Sequence, residues 1–231
     1  MSLCFVCFGA AARAQDVEPA QPKQSVEPVQ PKRPERAADA AKKNARPEGE
    51  ADAKAEPFDN ATPEQMSKQC VTFATEEGSI EIEMLAETAP ESVRNFLNLS
   101  AAGAYDTTVF SRVIKGFIIQ GGDLRTREKV TPELARRAAR KVPDEPSEVK
   151  HLRGIVSMAR SDEPDSATTH FFILAGNGPH LDGTFAAFGR VRSGMDVVDK
   201  INGAELDGEK PKKPVRLTRA TVAPCSAPQF D

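Results

Sequence analysis

One arginine stands in a run that otherwise reads as buried strand: Phe110-Ser111-Arg112-Val113-Ile114-Lys115-Gly116-Phe117-Ile118-Ile119-Gln120-Gly121-Gly122-Asp123. A guanidinium on a mostly apolar strand is costly unless a partner or a ligand meets it. Gln120 recurs eight residues after Arg112, on the same face if the strands keep their period of two. The alternative is an arginine whose stem packs on the sheet while its head reaches water at the rim. Around this pair the usual catalytic spacings are missing. The sequence has no G-x-S-x-G elbow, no P-loop, no H-E-x-x-H and, beyond the first residues, no C-x-x-C. Its three histidines, His151, His170 and His180, are far apart and have no cysteine near them, which argues against a metal site. Any catalysis here works without a covalent intermediate and without a metal.

The elements that must hold such a pair are short and mostly extended. Val71, Phe73 and Ala74 lead to a turn at Glu77-Gly78, after which Ile80, Ile82 and Met84 alternate with polar residues, as in a hairpin with one buried face. Pro90 opens a helix whose apolar side carries Val93, Phe96, Leu97 and Leu99, and Gly103 ends it. Strands are expected over 109–113, 117–120, 154–159, 170–174, 183–191 and 215–222, and a second amphipathic helix over 194–201. Residues 124–147 are polar and insertion-like, with room for a short helix at 132–140. Close-set short strands with two separated helices indicate a β-barrel or sandwich capped by helices. There is no βαβ series, which argues against a parallel nucleotide-binding sheet.

Composition divides the chain. Residues 15–66 are mostly Ala, Pro, Glu, Lys, Gln and Asp, with Phe58 the only aromatic. So little apolar surface does not offset the entropy of ordering the backbone, so this stretch reads as a disordered linker before a folded domain over 67–225. Leu3–Ala12 is apolar and Ala12-Arg13-Ala14 resembles a cleavage site, so 1–14 reads as a secretory signal peptide, although no basic residue precedes the apolar stretch. Export to the periplasm or medium is the expectation, with a cytoplasmic chain if that signal is not real. Cleavage there would leave Cys70 and Cys225, at opposite ends of the domain, either as a bridge or as two thiols. The net charge of −3, with both signs interspersed, does not suit a nucleic-acid binder. The basic residues between Arg125 and Lys141 read as a solvated helix face. No apolar run approaches the ~20 residues of a membrane-spanning helix.

The Arg112 segment resembles the cyclophilin signature, in which a Phe, an Arg, a Gly-Phe and a Gln-Gly-Gly-Asp recur at this spacing. Three further stretches are similar to the family's following strands: Gly154-Ile155-Val156-Ser157-Met158-Ala159-Arg160, Ser166-Ala167-Thr168-Thr169-His170-Phe171-Phe172-Ile173, and Leu181-Asp182-Gly183-Thr184 with Phe188-Gly189-Arg190-Val191. The likeness runs in order over about 70–223 and is closest in style to the bacterial branch.

What the resemblance implies is a mainly β fold: an eight-stranded antiparallel barrel with a helix over each open end, first and last strands adjacent. That adjacency makes a Cys70–Cys225 bridge geometrically reasonable. The implied activity is peptidyl-prolyl cis–trans isomerisation without a cofactor, on proline-containing polypeptide clients, by a monomer; with the leader read above, those clients would be exported proteins. Arg112 matches the catalytic arginine and Gln120 the residue that orients the substrate carbonyl. Phe117, Ile118, Met158, Phe172 and Leu181 match the substrate-binding groove and its proline pocket, and Ala159 and Arg160 the strand edge beside the substrate backbone. Several substrate-site positions depart from the usual residues: His170 stands for Gln, His180 for an aromatic and Phe185 for a His or Tyr. Ser111 stands for a His, and Arg160 for an Asn. The rival readings are a cyclophilin-like module that binds Pro segments without accelerating them, a barrel holding a small apolar ligand, and a scaffold whose Pro-rich linker is the active part.

Overall fold

The computed structural model describes residues 55–225. In chain order these form α1 (Pro63–Ser67), β1 (Gln69–Thr75), β2 (Gly78–Met84), α2 (Pro90–Ala101), β3 (Arg112–Ile114), β4 (Ile118–Gly121), α3 (Pro132–Ala138), β5 (Ile155–Met158), β6 (Phe171–Leu174), β7 (Ala187–Ser193), α4 (Met195–Asn202), β8 (Leu206–Asp207), β9 (Lys210–Pro211) and β10 (Leu217–Pro224). Eight strands make one antiparallel sheet in the order β10-β1-β2-β7-β5-β6-β4-β3, and β8 and β9 form a separate hairpin. The sheet curls until its ends meet. Residues just before β3 and β10 bridge at Val109 and Arg216, with Leu217 N–H donating to Thr108 O (2.8 Å) and Phe110 N–H to Val215 O (3.1 Å).

Alternation places Val71, Phe73, Ile80, Ile82, Val113, Ile119, Val156, Ile173 and Phe188 inside, where α2 and α4 add Phe96, Leu97, Val197 and Val198. The interior is filled by side chains. Phe73, Phe96, Tyr105 and Phe171 meet mostly edge to face, with centroids 5.3–6.0 Å apart, the spacing that aromatic quadrupoles favour. Tyr105 is fully buried and its hydroxyl donates to Thr169 O; burial pushes that phenol up, out of the range where it ionises. Among the described residues no helix is long and apolar enough to cross a membrane.

Three expectations change. The strand expected over 109–113 begins only at Arg112, because Val109 is taken up in the bridge that closes the sheet. The strand expected over 183–191 begins at Ala187, because Thr184 and Phe185 turn back to donate to Leu181 O. The folded part also starts before residue 67: Thr62 and Gln65 form a reciprocal capping box at α1, and Met66 is fully buried. Phe58 N–H donates to Asn98 Oδ1, and Arg94 of α2 donates to the carbonyls of Phe58, Asp59 and Ala61. The leader read over 1–14 and the linker up to residue 54 lie outside the described residues.

The insertion at 124–147 is tied down in the same region. Arg137, read as part of a solvated face, donates to Glu56 Oε1 (2.5 Å) and Asn95 Oδ1 (2.9 Å). Glu145 reaches α2, whose own N-cap Ala89 offers no side-chain acceptor. Its carboxylate accepts from Glu91 N–H, Ser92 N–H and Ser92 Oγ at 2.7–2.9 Å. A carboxylate at that end satisfies orphan donors and faces the positive end of the helix dipole. Glu145→Ala is expected to lower unfolding free energy by about 1–2 kcal/mol, read from urea denaturation; an unchanged midpoint would mean that water caps α2 equally well.

Candidate active site

The antiparallel register gathers the chemistry-bearing residues into one row. Arg112 on β3 lies opposite Gln120 on β4, Gln120 opposite Phe172 on β6, and Phe172 opposite Ser157 on β5. Residues paired across strands share a face, so Arg112, Gln120, Phe172 and Ser157 all lie on the outer side of the curled sheet. The next row on that face, Ile114, Ile118 and Leu174, is apolar. A second cluster forms there from Ile118, Ile155, Phe172, Leu174, Leu181 and Ala187, with Phe117, Ala159 and Phe185 against it.

Arg112 is half exposed at the polar end of the row. Its Nη1 donates to Gln120 Oε1 (3.2 Å), and its Nε donates to Glu209 Oε2 (2.6 Å). A guanidinium has only donors, so the glutamine must turn its oxygen toward it and its NH₂ away. Glu209 sits in the turn of the β8–β9 hairpin, and its carboxyl is held below the usual carboxylate range by Arg112.

Phe117 lies in the turn between β3 and β4, with its ring 5.2 Å from that of His180. The turn is held from behind by Asn202 at the end of α4, which accepts from Gly116 N–H (2.7 Å) and donates to Ile114 O and Ile118 O. Gly178 packs tightly behind the Phe117 ring: a Cβ there would stand 2.9 Å from Phe117 Cε2 and 3.1 Å from Leu181 Cδ1, so Phe117 would have to shift. His180 is exposed in the short helical turn Pro179–Leu181, beside buried Leu181. Phe172 and Phe185 meet edge to face at 5.9 Å.

Two positions behave differently from their expected parts. Met158 is buried, but it packs in the main core and not in the outer cluster with Phe172 and Leu181. Arg160, expected to act through its backbone, lays its guanidinium over the Phe185 ring at 5.0 Å and donates to Ser161 O and Thr184 O. It thereby covers the outer edge of the cluster by a cation–π contact. Beside it, Ala159 N–H donates to His170 O (3.0 Å), so that donor is already spent within the chain.

Behind the row lies a polar network. His151, fully buried, meets Ser157 Oγ through Nε2 (3.0 Å) and Asp182 Oδ1 through Nδ1 (3.3 Å). The arrangement has the composition of a catalytic triad, but Ser157 has no exposed surface and no substrate reaches its oxygen; the network anchors the 179–185 turn to β5. His170 stands 4.0 Å from Asp123 Oδ1, which Arg125 also holds. Burial holds both imidazoles below their ordinary value, with the neighbouring aspartates offsetting part of it. At these two histidines the unfolded chain therefore binds more protons than the native one below about pH 6.5, so their contribution to stability is lost as pH falls from there toward the folded values. Urea midpoints compared at about pH 7.5 and about pH 5.5 are expected to be lower at the acid pH; an equal or higher acid midpoint would contradict this.

Cys70 on β1 and Cys225, next to the end of β10, are joined as a disulfide, Cα atoms 4.8 Å apart. β1 and β10 are register partners along their length, which brings together two cysteines 155 residues apart.

Sequence reasoning missed Glu209, Asn202 and Asp182. A signal for the first was present: Gly208-Glu209 between Asp207 and Lys210 puts glycine at the first central position of a two-residue hairpin turn.

A family model described as "Cyclophilin type peptidyl-prolyl cis-trans isomerase/CLD" matches residues 70–222. The peptidyl-prolyl cis-trans isomerase cypE of Dictyostelium discoideum is 41% identical over 159 residues, covering 68% of this chain and 99% of that protein. Peptidyl-prolyl cis-trans isomerase B of Escherichia coli (strain K12) is 38% identical over 168 residues, covering 66% and 99%. Among solved structures, a cyclophilin type peptidyl-prolyl cis-trans isomerase of Cryptosporidium parvum, crystallised in the presence of the dipeptide Ala-Pro, is similar with a TM-score of 0.58 and 30% identity, covering 67% of this chain and 98% of that one.

Proposed function

We propose that this chain, which belongs to the cyclophilin-type peptidyl-prolyl cis–trans isomerase family, performs that family's reaction through a hydrogen bond from Arg112 to the twisted X–Pro bond. Amide resonance makes uncatalysed rotation slow, at tens to hundreds of seconds. At the twisted transition state the prolyl nitrogen regains its lone pair and becomes an acceptor. A donor already fixed in place stabilises that state more than the planar ground state, which is the condition for catalysis. The observation that carries the reading is the register row itself. Arg112 stands at one end, and Gln120 beside it uses its oxygen on the guanidinium and so keeps its NH₂ for a substrate carbonyl. Phe172 is next in line, which supports reading it as an apolar wall for the proline ring. No group need gain or lose a proton. The Ala-Pro dipeptide in the related crystal supports proline-containing segments as the ligand class.

The test uses the full chain and a short X–Pro peptide. Phe172→Ala is expected to raise KM while leaving most of kcat, because it removes ground-state and transition-state binding alike. A fall in kcat with KM unchanged would remove Phe172 from the binding wall.

We further infer that the clients are exported polypeptides and that the chain is itself exported. The 1–14 leader pattern and a disulfide between the remaining cysteines both suit an oxidising compartment. N-terminal sequencing of the protein from fractionated cells tests this: a mature terminus near Gln15 outside the cytosol is expected, and a cytosolic chain starting at Met1 would sink it.

A further inference from the structure

We propose that Glu209 is a positioning residue for the reaction, holding the guanidinium of Arg112 in the plane from which it meets the substrate; this rests on the reading of Arg112 given above. Arginine has a long, flexible stem, and a donor that must be in place before the bond twists gains from being held. Two partners hold it here. Gln120 Oε1 takes a proton of Nη1 (3.2 Å) and Glu209 Oε2 takes the Nε proton (2.6 Å). Because the guanidinium is planar, contacts at two of its nitrogens set its orientation. Nη2 has no partner among the described residues and is left for the substrate.

Glu209 is itself held by the backbone. It occupies the second position of a two-residue turn between β8 and β9, after Gly208 at φ 60°, where a type II′ turn takes glycine. Its carbonyl accepts from Val113 N–H at 2.8 Å, which ties the turn to β3 beside Arg112. The hairpin has other supports, in Leu206 paired with Pro211, Asp207 with Lys210 and Lys212 N–H bonded to Glu205 O. It therefore does not depend on the ion pair. With both side chains about half exposed, the pair adds little to fold stability. Its physical effect falls on the arginine.

The hairpin also shapes the ground beside the reacting bond. Asp207, Gly208, Glu209 and Lys210 line a recess with Ser111 and Arg112, so a substitution at 209 acts next to the groove without touching the Phe117–Phe172 wall.

The test compares full-chain wild type, Glu209→Ala, Glu209→Gln, Arg112→Ala and the Arg112→Ala/Glu209→Ala double variant on one X–Pro peptide, with thermal midpoints measured alongside. Glu209→Ala is expected to lower kcat roughly tenfold, within the ~10²-fold that a misplacement of about 1 Å can cost. KM should stay within about twofold and the thermal midpoint should not move. Glu209→Gln, which keeps an acceptor and loses the charge, should fall between. In the Arg112→Ala background the second substitution should have no further effect. The proposal is overturned by a Glu209→Ala enzyme whose kcat equals or exceeds that of wild type, by a loss carried by KM or by the thermal midpoint, or by an undiminished loss in the double variant. An Arg112→Ala enzyme as fast as wild type would instead overturn the reading of Arg112, and this inference with it.

Discussion

Arg112→Ala is expected to lower kcat/KM on an X–Pro peptide by ~10²–10³-fold, the cost of removing one pre-placed donor to a developing acceptor. The size follows from what is left behind. The apolar wall and the Gln120 amide both survive the change, so substrate should still bind, while the hydrogen bond available only to the twisted bond is lost. Glu209, deprived of its partner, is half exposed and finds water, so the variant should fold normally. Arg112→Lys should recover little. An ammonium can occupy the region, but it lacks the planar set of donors that engages Gln120 and Glu209 together and would leave one free for the substrate. Coupled-protease or exchange measurements of the rate, made beside a thermal midpoint, check the prediction. A variant within threefold or so of wild type would be out of keeping with the ~10²-fold floor and would return Arg112 to the rim of the sheet.

The second large effect concerns the fold. Cys70 and Cys225 close a loop of 155 residues, and a cross-link over so long a span restricts the unfolded chain strongly. Cys70→Ser/Cys225→Ser, or full reduction, is expected to lower unfolding free energy by about 2–5 kcal/mol. Isomerase activity at room temperature should persist, because the bridge fastens β1 to β10 while the row of site residues lies on β3, β4, β6 and β5. Urea curves with and without reductant decide it. Coincident curves would mean that the β1–β10 ladder alone holds the termini, and would leave the bridge without bearing on the compartment in which the protein works.

Much of this architecture was legible because the informative residues are local. The Arg112–Asp123 stretch shows an arginine and a glutamine that a tight turn brings face to face, and the hairpin at Glu77-Gly78 follows from simple alternation. What was not legible is long-range or double-sided. β5 and β6 are buried on both faces, so their apolar runs do not say which side each residue takes. That is why Met158, assigned to the groove, proves to face the core, while Phe172 faces outward. Residues 55–66 have a linker's composition, yet two apolar anchors, Phe58 and Met66, with the arginine contacts of α2, are enough to order them. Glu145 caps a helix that starts 55 residues before it, and Glu209 meets Arg112 across 97 residues. Neither pairing leaves a mark in sequence spacing, because each depends on how the closed sheet brings distant loops together.

The most direct test of the central claim separates binding from rotation. Two-dimensional NMR exchange on an X–Pro peptide, with full-chain wild type and Arg112→Ala at matched saturation, reads both at once. The account predicts that peptide resonances shift on binding to either protein, while cis–trans exchange peaks appear with wild type and vanish with the variant. Exchange peaks that persist in Arg112→Ala would contradict it, as would a variant that no longer binds at all, since Arg112 would then be holding the substrate and not its transition state.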